Sequence, residues 1–130
     1  MKRRQLLKMA AAGAAVFPFT AFAQSTEFTF YSSLAKSWHD EGRYFPWTST
    51  TEFNNNQKVQ VFYRTFGNPS NPPLLLVHGY PTSSIDFSEL IPYLQDDYFI
   101  AALDFPGFGF SDKPQNGYSY MLEDDARLLD

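Results

Sequence analysis

The sequence predicts an α/β fold in which two buried parallel strands are joined by a helix. Two continuous apolar runs, residues 74–77 and 99–103, are typical of strands that are covered on both faces. Between these runs, apolar residues recur at the helical spacing i, i+3, i+4 and i+7. A strand, a helix and a second strand form a β-α-β unit, whose crossover is almost always right-handed.

The N-terminal segment has the charge and hydropathy of an export signal. Four basic residues precede an uncharged stretch, residues 9–23, which is shorter than the about 20 apolar residues that a membrane span needs. Small residues at 21 and 23 predict cleavage after Ala23. The pair Arg3-Arg4 resembles the twin-arginine signal of bacterial export. We therefore expect residues 1–23 to be cleaved, leaving a periplasmic or secreted protein without a membrane anchor.

Charge and cysteine content exclude several classes of function. Cleavage after Ala23 removes four positive charges and no negative ones, which takes the net charge from −4 to −8. An acidic surface without a basic cluster repels phosphate backbones, so nucleic acid is not an expected partner. The absence of cysteine excludes disulfides, thiolate nucleophiles and Cys-ligated zinc.

The first part of the predicted domain is a β-hairpin. Residues 24–48 are rich in aromatic side chains, and we expect them to be an N-terminal extension that packs against a domain starting at residue 49. Residues 50–53, the polar turn 54–57 and the alternating β-formers 59–63 together predict the hairpin. The segment 67–73 is dense in glycine, asparagine and proline, which predicts a loop before the first buried strand.

The helix between the buried strands is predicted from four apolar positions on one face: Phe87, Leu90, Ile91 and Leu94. The hydroxyl side chains of residues 82–84 are suited to capping its start. Pro92 removes one backbone hydrogen bond, so we expect a kink or a short first segment.

A last helix is predicted to start near Ser119, with four inward-facing positions: Met121, Leu122, Ala126 and Leu129. No glycine, asparagine or proline follows this pattern. We therefore expect Asp130 to interrupt the helix rather than to end it.

The candidate site residues lie in the two loops that follow the buried strands. The first loop contains His78, Gly79, Tyr80 and Pro81, and Gly79 lets the chain bend sharply there. The second is an Asp-x-x-Gly-x-Gly-x-Ser turn, formed by Asp104, Gly107, Gly109 and Ser111. Two such loops with one intervening helix form a specific combination, whereas a His-Gly pair alone is common.

On these two motifs, residues 38–130 resemble the α/β-hydrolases of the epoxide-hydrolase and haloalkane-dehalogenase branch. Segments 78–84 and 104–114 are most similar to the mesoderm-specific-transcript-like group, and segments 42–47 and 61–64 fit the same group. The resemblance implies that residues 49–130 are the N-terminal portion of such a domain, with an incomplete sheet, no cap domain and no nucleophile elbow.

The resemblance also implies a reaction. The family hydrolyses small, largely apolar epoxides, haloalkanes or esters through a nucleophile, usually aspartate in this branch, with an acid and a histidine further along. None of that triad is present here. The backbone N–H of Tyr80 is implied to be one oxyanion-hole donor, and no cofactor or metal is implied. Many haloalkane dehalogenases carry a polar residue at the position of Tyr80, so tyrosine weakens the haloalkane assignment.

Other interpretations of the same residues are less favoured. We expect His78 to stabilise the turn rather than to act as a catalytic base, and Asp104 to brace the second loop. A dinucleotide loop at 107–109 is rejected because Asp112 stands where a third glycine belongs. A metal site at 39–41 is less favoured than a solvated polar stretch. The resemblance also implies a cis Tyr80-Pro81 bond, since related enzymes hold this loop with a cis proline and cis bonds are concentrated at X-Pro.

Two different functions remain open at this stage. The chain is either part of a hydrolase or a non-catalytic binding or pseudoenzyme product that is complete at Asp130. Within the hydrolases, a serine carboxylesterase or lipase is a further alternative, and the elbow residue decides between serine and aspartate. Small partial domains are marginally stable, so we expect residues 24–130 alone to hydrolyse neither nitrophenyl esters nor styrene oxide.

Overall fold

The computed structural model describes residues 29–130, so the predicted export signal and its cleavage site lie outside the described residues. No helix within this range has the length and apolar character needed to cross a membrane. In chain order the elements are α1 (Ser33–Asp40), β1 (Arg43–Thr48), β2 (Lys58–Phe66), β3 (Pro73–Val77), the 3-10 helix η1 (Ser84–Glu89), α2 (Ile91–Leu94), β4 (Phe99–Leu103) and α3 (Leu122–Leu129).

The four strands form one mixed sheet in the order β1-β2-β4-β3. Strand β2 pairs antiparallel with β1 and with β4, whereas β3 and β4 are parallel, in the register Pro73↔Phe99 to Val77↔Leu103. A parallel pair connected through η1 and α2 confirms the predicted β-α-β unit and the α/β fold class.

Alternation along the strands divides the core between the two faces of the sheet. One face carries Val59 and Val61 of β2 and Leu103 of β4, and is covered by Leu128 of α3. The other carries Phe62 and Ile100, and is covered by α1 and α2 through the side chains of Trp38 and Ile91. Because side chains alternate along a strand, each central strand contributes to both halves of the core.

The first strand of the hairpin lies earlier than predicted. Residues 51–53 form a bend and a turn, and the partner of β2 is Arg43–Thr48, with Thr48 opposite Lys58. The predicted extension 24–48 therefore contributes a strand to the sheet. Three side chains of the connecting loop are buried as polar anchors, which holds this segment out of the sheet: Ser49, Thr51 and Asn54.

The two predicted buried strands differ in their surroundings. All five residues of β4 are buried, as predicted. Strand β3 is only half-buried, and Val77 is 40% exposed, which is more than the apolar run predicted. Strand β3 is more exposed than predicted because it lies at the edge of the described sheet, where β4 is its single neighbour.

The helical segment between β3 and β4 is broken, as Pro92 predicted. Residues 84–89 are 3-10 helix, and a short α-helix follows with Pro92 in its first turn. Ile91 is buried, and Phe87 and Leu94 pack on the same cluster. Leu90 is 44% exposed because the break rotates it away from the predicted face.

The predicted inward face of the last helix is wrong. Helix α3 starts at Leu122, which is 83% exposed, and Met121 and Ala126 are also exposed. Asp124 and Leu128 are the buried residues, and Leu129 packs beside them. Asp124 turns inward because buried hydrogen-bond donors surround its carboxylate, and this orientation sets the face that α3 presents to the sheet.

Candidate functional site

The two loops with the predicted site residues meet at the carboxyl ends of the parallel strands. Residues 78–83 leave β3 and residues 104–112 leave β4, so neighbouring parallel strands deliver both loops to the same edge of the sheet. In open α/β sheets this edge is where ligands bind.

His78 joins the two loops. Its imidazole is buried, with Nε2 at 3.0 Å from the backbone N of Phe105 and Nδ1 at 2.9 Å from the carbonyl oxygen of Gly79. Because a backbone N–H can only donate, Nε2 is the acceptor and the proton of the neutral ring lies on Nδ1. Both ring nitrogens are therefore occupied in holding backbone, which leaves neither free to act as a base.

Asp104 ties the start of η1 to the second loop. It is 1% exposed, and its Oδ1 accepts a hydrogen bond from the N–H of Ser84 at 2.7 Å while Oδ2 accepts one from Phe110 at 2.7 Å. Gly109 passes directly beside this carboxylate, with φ of +47°, and a Cβ at that position would lie 2.0 Å from Oδ2. Both the backbone conformation and the close approach require glycine here.

Ser111 and Gly107 complete the second loop. The Ser111 hydroxyl donates to the carbonyl of Asp104 at 2.6 Å and accepts from the N–H of Phe62 at 2.8 Å, so it links the loop to β2. Gly107 has φ of +92°, and its N–H donates to the carbonyl of Asp112 at 2.8 Å. These contacts make the second loop a rigid support for the first.

The Gly79-Tyr80 segment differs in one respect from expectation. Gly79 has no positive φ, and a Cβ added to it would contact nothing within 4 Å, so the bend does not require glycine. The Tyr80 side chain is 87% exposed, with its ring edge-on to Phe108 at 6.0 Å. The predicted cis bond between Tyr80 and Pro81 is confirmed.

The backbone N–H of Tyr80 has no protein acceptor among the described residues, and the same holds for the N–H groups of Gly79 and Ser83 in this loop. The hydrogen bonds found within residues 29–130 include an acceptor for the N–H of Thr82, the carbonyl of Gly79, but none for the N–H of Tyr80. No group of three or more His, Asp or Glu side chains in the same range is placed to hold a metal ion. At this edge of the sheet, the N–H of Tyr80 lies on a loop that His78 and Asp104 hold in place.

Asp124 is a structural residue that the sequence analysis missed. Its Oδ1 accepts from the hydroxyls of Ser49 (2.6 Å) and Thr51 (2.9 Å), and its Oδ2 from Asn54 Nδ2 (2.6 Å) and the Tyr118 hydroxyl (3.0 Å). Burial, and then the bond to this carboxylate, raises the pKa of Tyr118. In the sequence, Asp124 looks like an ordinary acid in the first turn of a helix, where carboxylates are common.

The architecture and the two loops agree with comparisons to known proteins. Residues 72–130 match the model of the α/β-hydrolase fold family. This segment belongs to that family. An uncharacterized hydrolase of Saccharomyces cerevisiae is 45% identical over 75 residues, covering 55% of this chain and 26% of the yeast protein. The Bos taurus mesoderm-specific transcript homolog protein is 34% identical over 87 residues, covering 65% of this chain and 26% of the relative.

The α/β-hydrolase assignment extends to solved structures. The crystal structure of a haloalkane dehalogenase loop variant from Bradyrhizobium elkanii has a TM-score of 0.51 and 27% identity, covering 65% of this chain and 25% of that one. The Bos taurus protein and the dehalogenase belong to the two groups that the sequence motifs resemble. The chain spans about a quarter of the length of these relatives.

Asp125 is the one side chain of this α/β-hydrolase segment whose carboxyl pKa is raised, to about 6, among the described residues. Burial is the main cause, and the charge of neighbouring Asp124 adds to it. The folded state therefore holds a proton that an unfolded chain, with the ordinary pKa of 3.8, has already lost. Between about pH 4 and 6 this difference lowers stability as the pH rises.

Replacing Asp125 with asparagine is expected to remove this part of the pH dependence. At pH 7 the variant should be more stable by up to about 1 kcal/mol, a value reduced for solvent screening because the side chain is only half-buried. Urea unfolding at pH 4, 5, 6 and 7 measures this pH dependence of stability. Asp97→Asn is the control, because Asp97 is exposed. An equal pH slope in the parent and the Asp125 variant would contradict the assignment.

Proposed function

We propose that this chain forms part of the catalytic domain of a hydrolase, and that the N–H of Tyr80 is one donor of its oxyanion hole. The observation that carries this proposal is the braced loop after β3. His78 and Asp104 fix its two ends to the exit of β4, and the N–H of Tyr80 has no acceptor among the described residues. In α/β-hydrolases, the loop at this position donates one backbone N–H to the oxyanion.

The proposed reaction also needs a nucleophile that is not among the residues of this chain. A nucleophile on a later strand attacks the substrate and forms a covalent ester, which activated water then hydrolyses. Negative charge collects on the carbonyl oxygen as water adds to that ester. A backbone donor fixed before the reaction stabilises this charge without reorganising, and removal of one such donor typically costs about 10²–10³ in kcat.

The proposed substrate is a small, largely apolar ester, epoxide or haloalkane. Support for the last two comes from the branch that the loop motifs resemble and from the dehalogenase structure with the same fold. The exposed Tyr80 ring lies beside Phe108, so this edge presents aromatic surface rather than a polar side chain for a departing halide. That surface favours an ester or an epoxide over a haloalkane.

A substrate panel tests this proposal. The intact natural protein that contains these residues is incubated with a nitrophenyl ester, styrene oxide and 1-bromobutane, with release of nitrophenol, diol or bromide as the readout. We expect turnover of the ester or the epoxide, and little or none of the haloalkane. Failure to hydrolyse any of the three classes, in a protein shown to be folded, would count against the proposal.

We infer that the protein is exported in the folded state. The inference is supported by Lys2, Arg3, Arg4 and Lys8 ahead of an apolar stretch and by the small residues before Gln24, all of which lie outside the described residues. Replacing both Arg3 and Arg4 with lysine preserves charge and should retain the protein in the cytoplasm of a bacterial host. The unaltered protein should reach the periplasm with Gln24 as its first residue, as read by N-terminal sequencing. Normal export of the double-lysine variant would exclude the twin-arginine route.

A further inference from the structure

The carbonyl oxygen of Gly79 accepts three hydrogen bonds, more than a turn requires. Its donors are His78 Nδ1 at 2.9 Å, the Thr82 N–H at 3.1 Å and the Thr82 hydroxyl at 3.0 Å. The Thr82 N–H makes the usual i to i+3 bond of a β-turn. The other two bonds come from side chains and are additional to the turn.

This oxygen belongs to the same peptide unit as the N–H of Tyr80. The Tyr80-Pro81 bond is the one cis bond among the described residues, so the Gly79-Tyr80 unit is trans. A trans peptide is planar, with its C=O and N–H pointing in opposite directions. Any group that fixes the direction of the Gly79 carbonyl therefore fixes the direction of the Tyr80 N–H.

The His78 side chain, which binds the Gly79 carbonyl, is itself held by a residue outside the loop. Its Nε2 accepts from the N–H of Phe105, the second residue after β4, and this bond places the ring proton on Nδ1, facing Gly79. Thr82 supplies the other two donors from the far side of the turn. The carbonyl is thus held from the sheet on one side and from the loop on the other.

We propose that Thr82 and His78 are positioning residues that aim the N–H of Tyr80 at the reacting oxygen. This inference rests on the proposed oxyanion role of Tyr80. A donor contributes most when its direction is set before the reaction. An ordinary threonine turn would need no histidine on the same oxygen, and the shared acceptor is what distinguishes the arrangement from local capping. Thr82 acts through the peptide and does not touch substrate.

The test compares Thr82→Val with Thr82→Ser in the intact protein. Valine keeps the shape of threonine and removes the hydroxyl donor, whereas serine restores that donor. Thr50→Val is the matched control, since Thr50 is exposed in the loop between β1 and β2. The first readout is the direction of the Tyr80 N–H, from its residual dipolar coupling. The second is kcat and KM on whichever panel substrate is turned over.

We expect Thr82→Val to change the Tyr80 coupling and to lower kcat about fivefold, the effect of one ordinary hydrogen bond, with KM within about twofold of the parent. Thr82→Ser and Thr50→Val should leave both readouts close to the parent. An unchanged coupling in Thr82→Val would overturn the positioning role, whatever the activity. A changed coupling with unchanged kcat would show that Thr82 orients the Tyr80 N–H but would overturn the oxyanion role of Tyr80. The two failures are therefore distinguishable.

Discussion

Replacing Asp124 with asparagine is expected to lower the free energy of unfolding by about 3 kcal/mol. The carboxylate is 2% exposed, and each of its oxygens accepts two hydrogen bonds from donors on the β1-β2 loop and on the segment before α3. An amide offers one oxygen and one NH₂ group, so in either orientation two of the four donors lose their carboxylate oxygen. A hydroxyl among them can turn to accept from the NH₂ group, but Asn54 Nδ2 cannot. Chemical unfolding followed by circular dichroism measures the loss.

Glu123→Gln is the matched control for this prediction. Glu123 is also in the first turn of α3, but its side chain is exposed and its ion pair with Arg127 spans 3.7 Å at the surface. Its replacement should change stability by less than about 0.5 kcal/mol. A similar loss for the two variants would mean that general helix charge, and not the buried acceptor, is responsible.

Replacing Gly109 with alanine is expected to lower the free energy of unfolding by about 3 kcal/mol. Alanine at a positive φ is strained by about 1 kcal/mol or more. The added Cβ would also displace the Asp104 carboxylate, which would weaken its bonds to the N–H groups of Ser84 and Phe110. The loss of free energy is measured by urea unfolding of the intact protein.

Gly79→Ala is the control for Gly109→Ala, because it makes the same chemical change in the neighbouring loop. At position 79 the space that an added Cβ would occupy is open and φ is not positive, so stability should change by less than about 0.5 kcal/mol. An equal loss of stability in the two variants would contradict the roles assigned to glycine in both loops.

The sequence predicted the elements whose surroundings are uniform. Strand β4 is buried on both faces, and five consecutive apolar residues are the direct expression of that environment. The break at Pro92 follows from the chemistry of proline itself, wherever the residue packs. The second loop was recognisable because Gly107 and Gly109 have the positive φ that favours glycine.

The sequence did not predict the elements that depend on distant partners. Strand β1 contains Pro46, which argues against a strand unless the strand lies at an edge, and β1 pairs only with β2 in the described sheet. The inward face of α3 depends on Asp124, whose donors Ser49 and Thr51 are more than seventy residues away in the chain. Hydrophobic periodicity contains no signal for a carboxylate that is buried by such contacts.

The Thr82 contacts show the same limit at the candidate site. The sequence placed a backbone donor at Tyr80, because the family resemblance carries that role. It did not show that a histidine and a threonine share the carbonyl of the same peptide unit. That arrangement is visible only once the turn is folded and His78 is held by Phe105.

The most direct test of the central claim removes the Tyr80 N–H while the Gly79 carbonyl stays in place as a weaker, ester acceptor. An amide-to-ester replacement at residue 80 substitutes oxygen for that N–H and keeps the side chain and the planar linkage. In the intact protein, with the substrate that it turns over best, we predict that kcat falls about 10²- to 10³-fold while KM and the unfolding midpoint stay close to the parent. A kcat within twofold of the parent, in a variant that is equally stable, would contradict the oxyanion role on which the account depends.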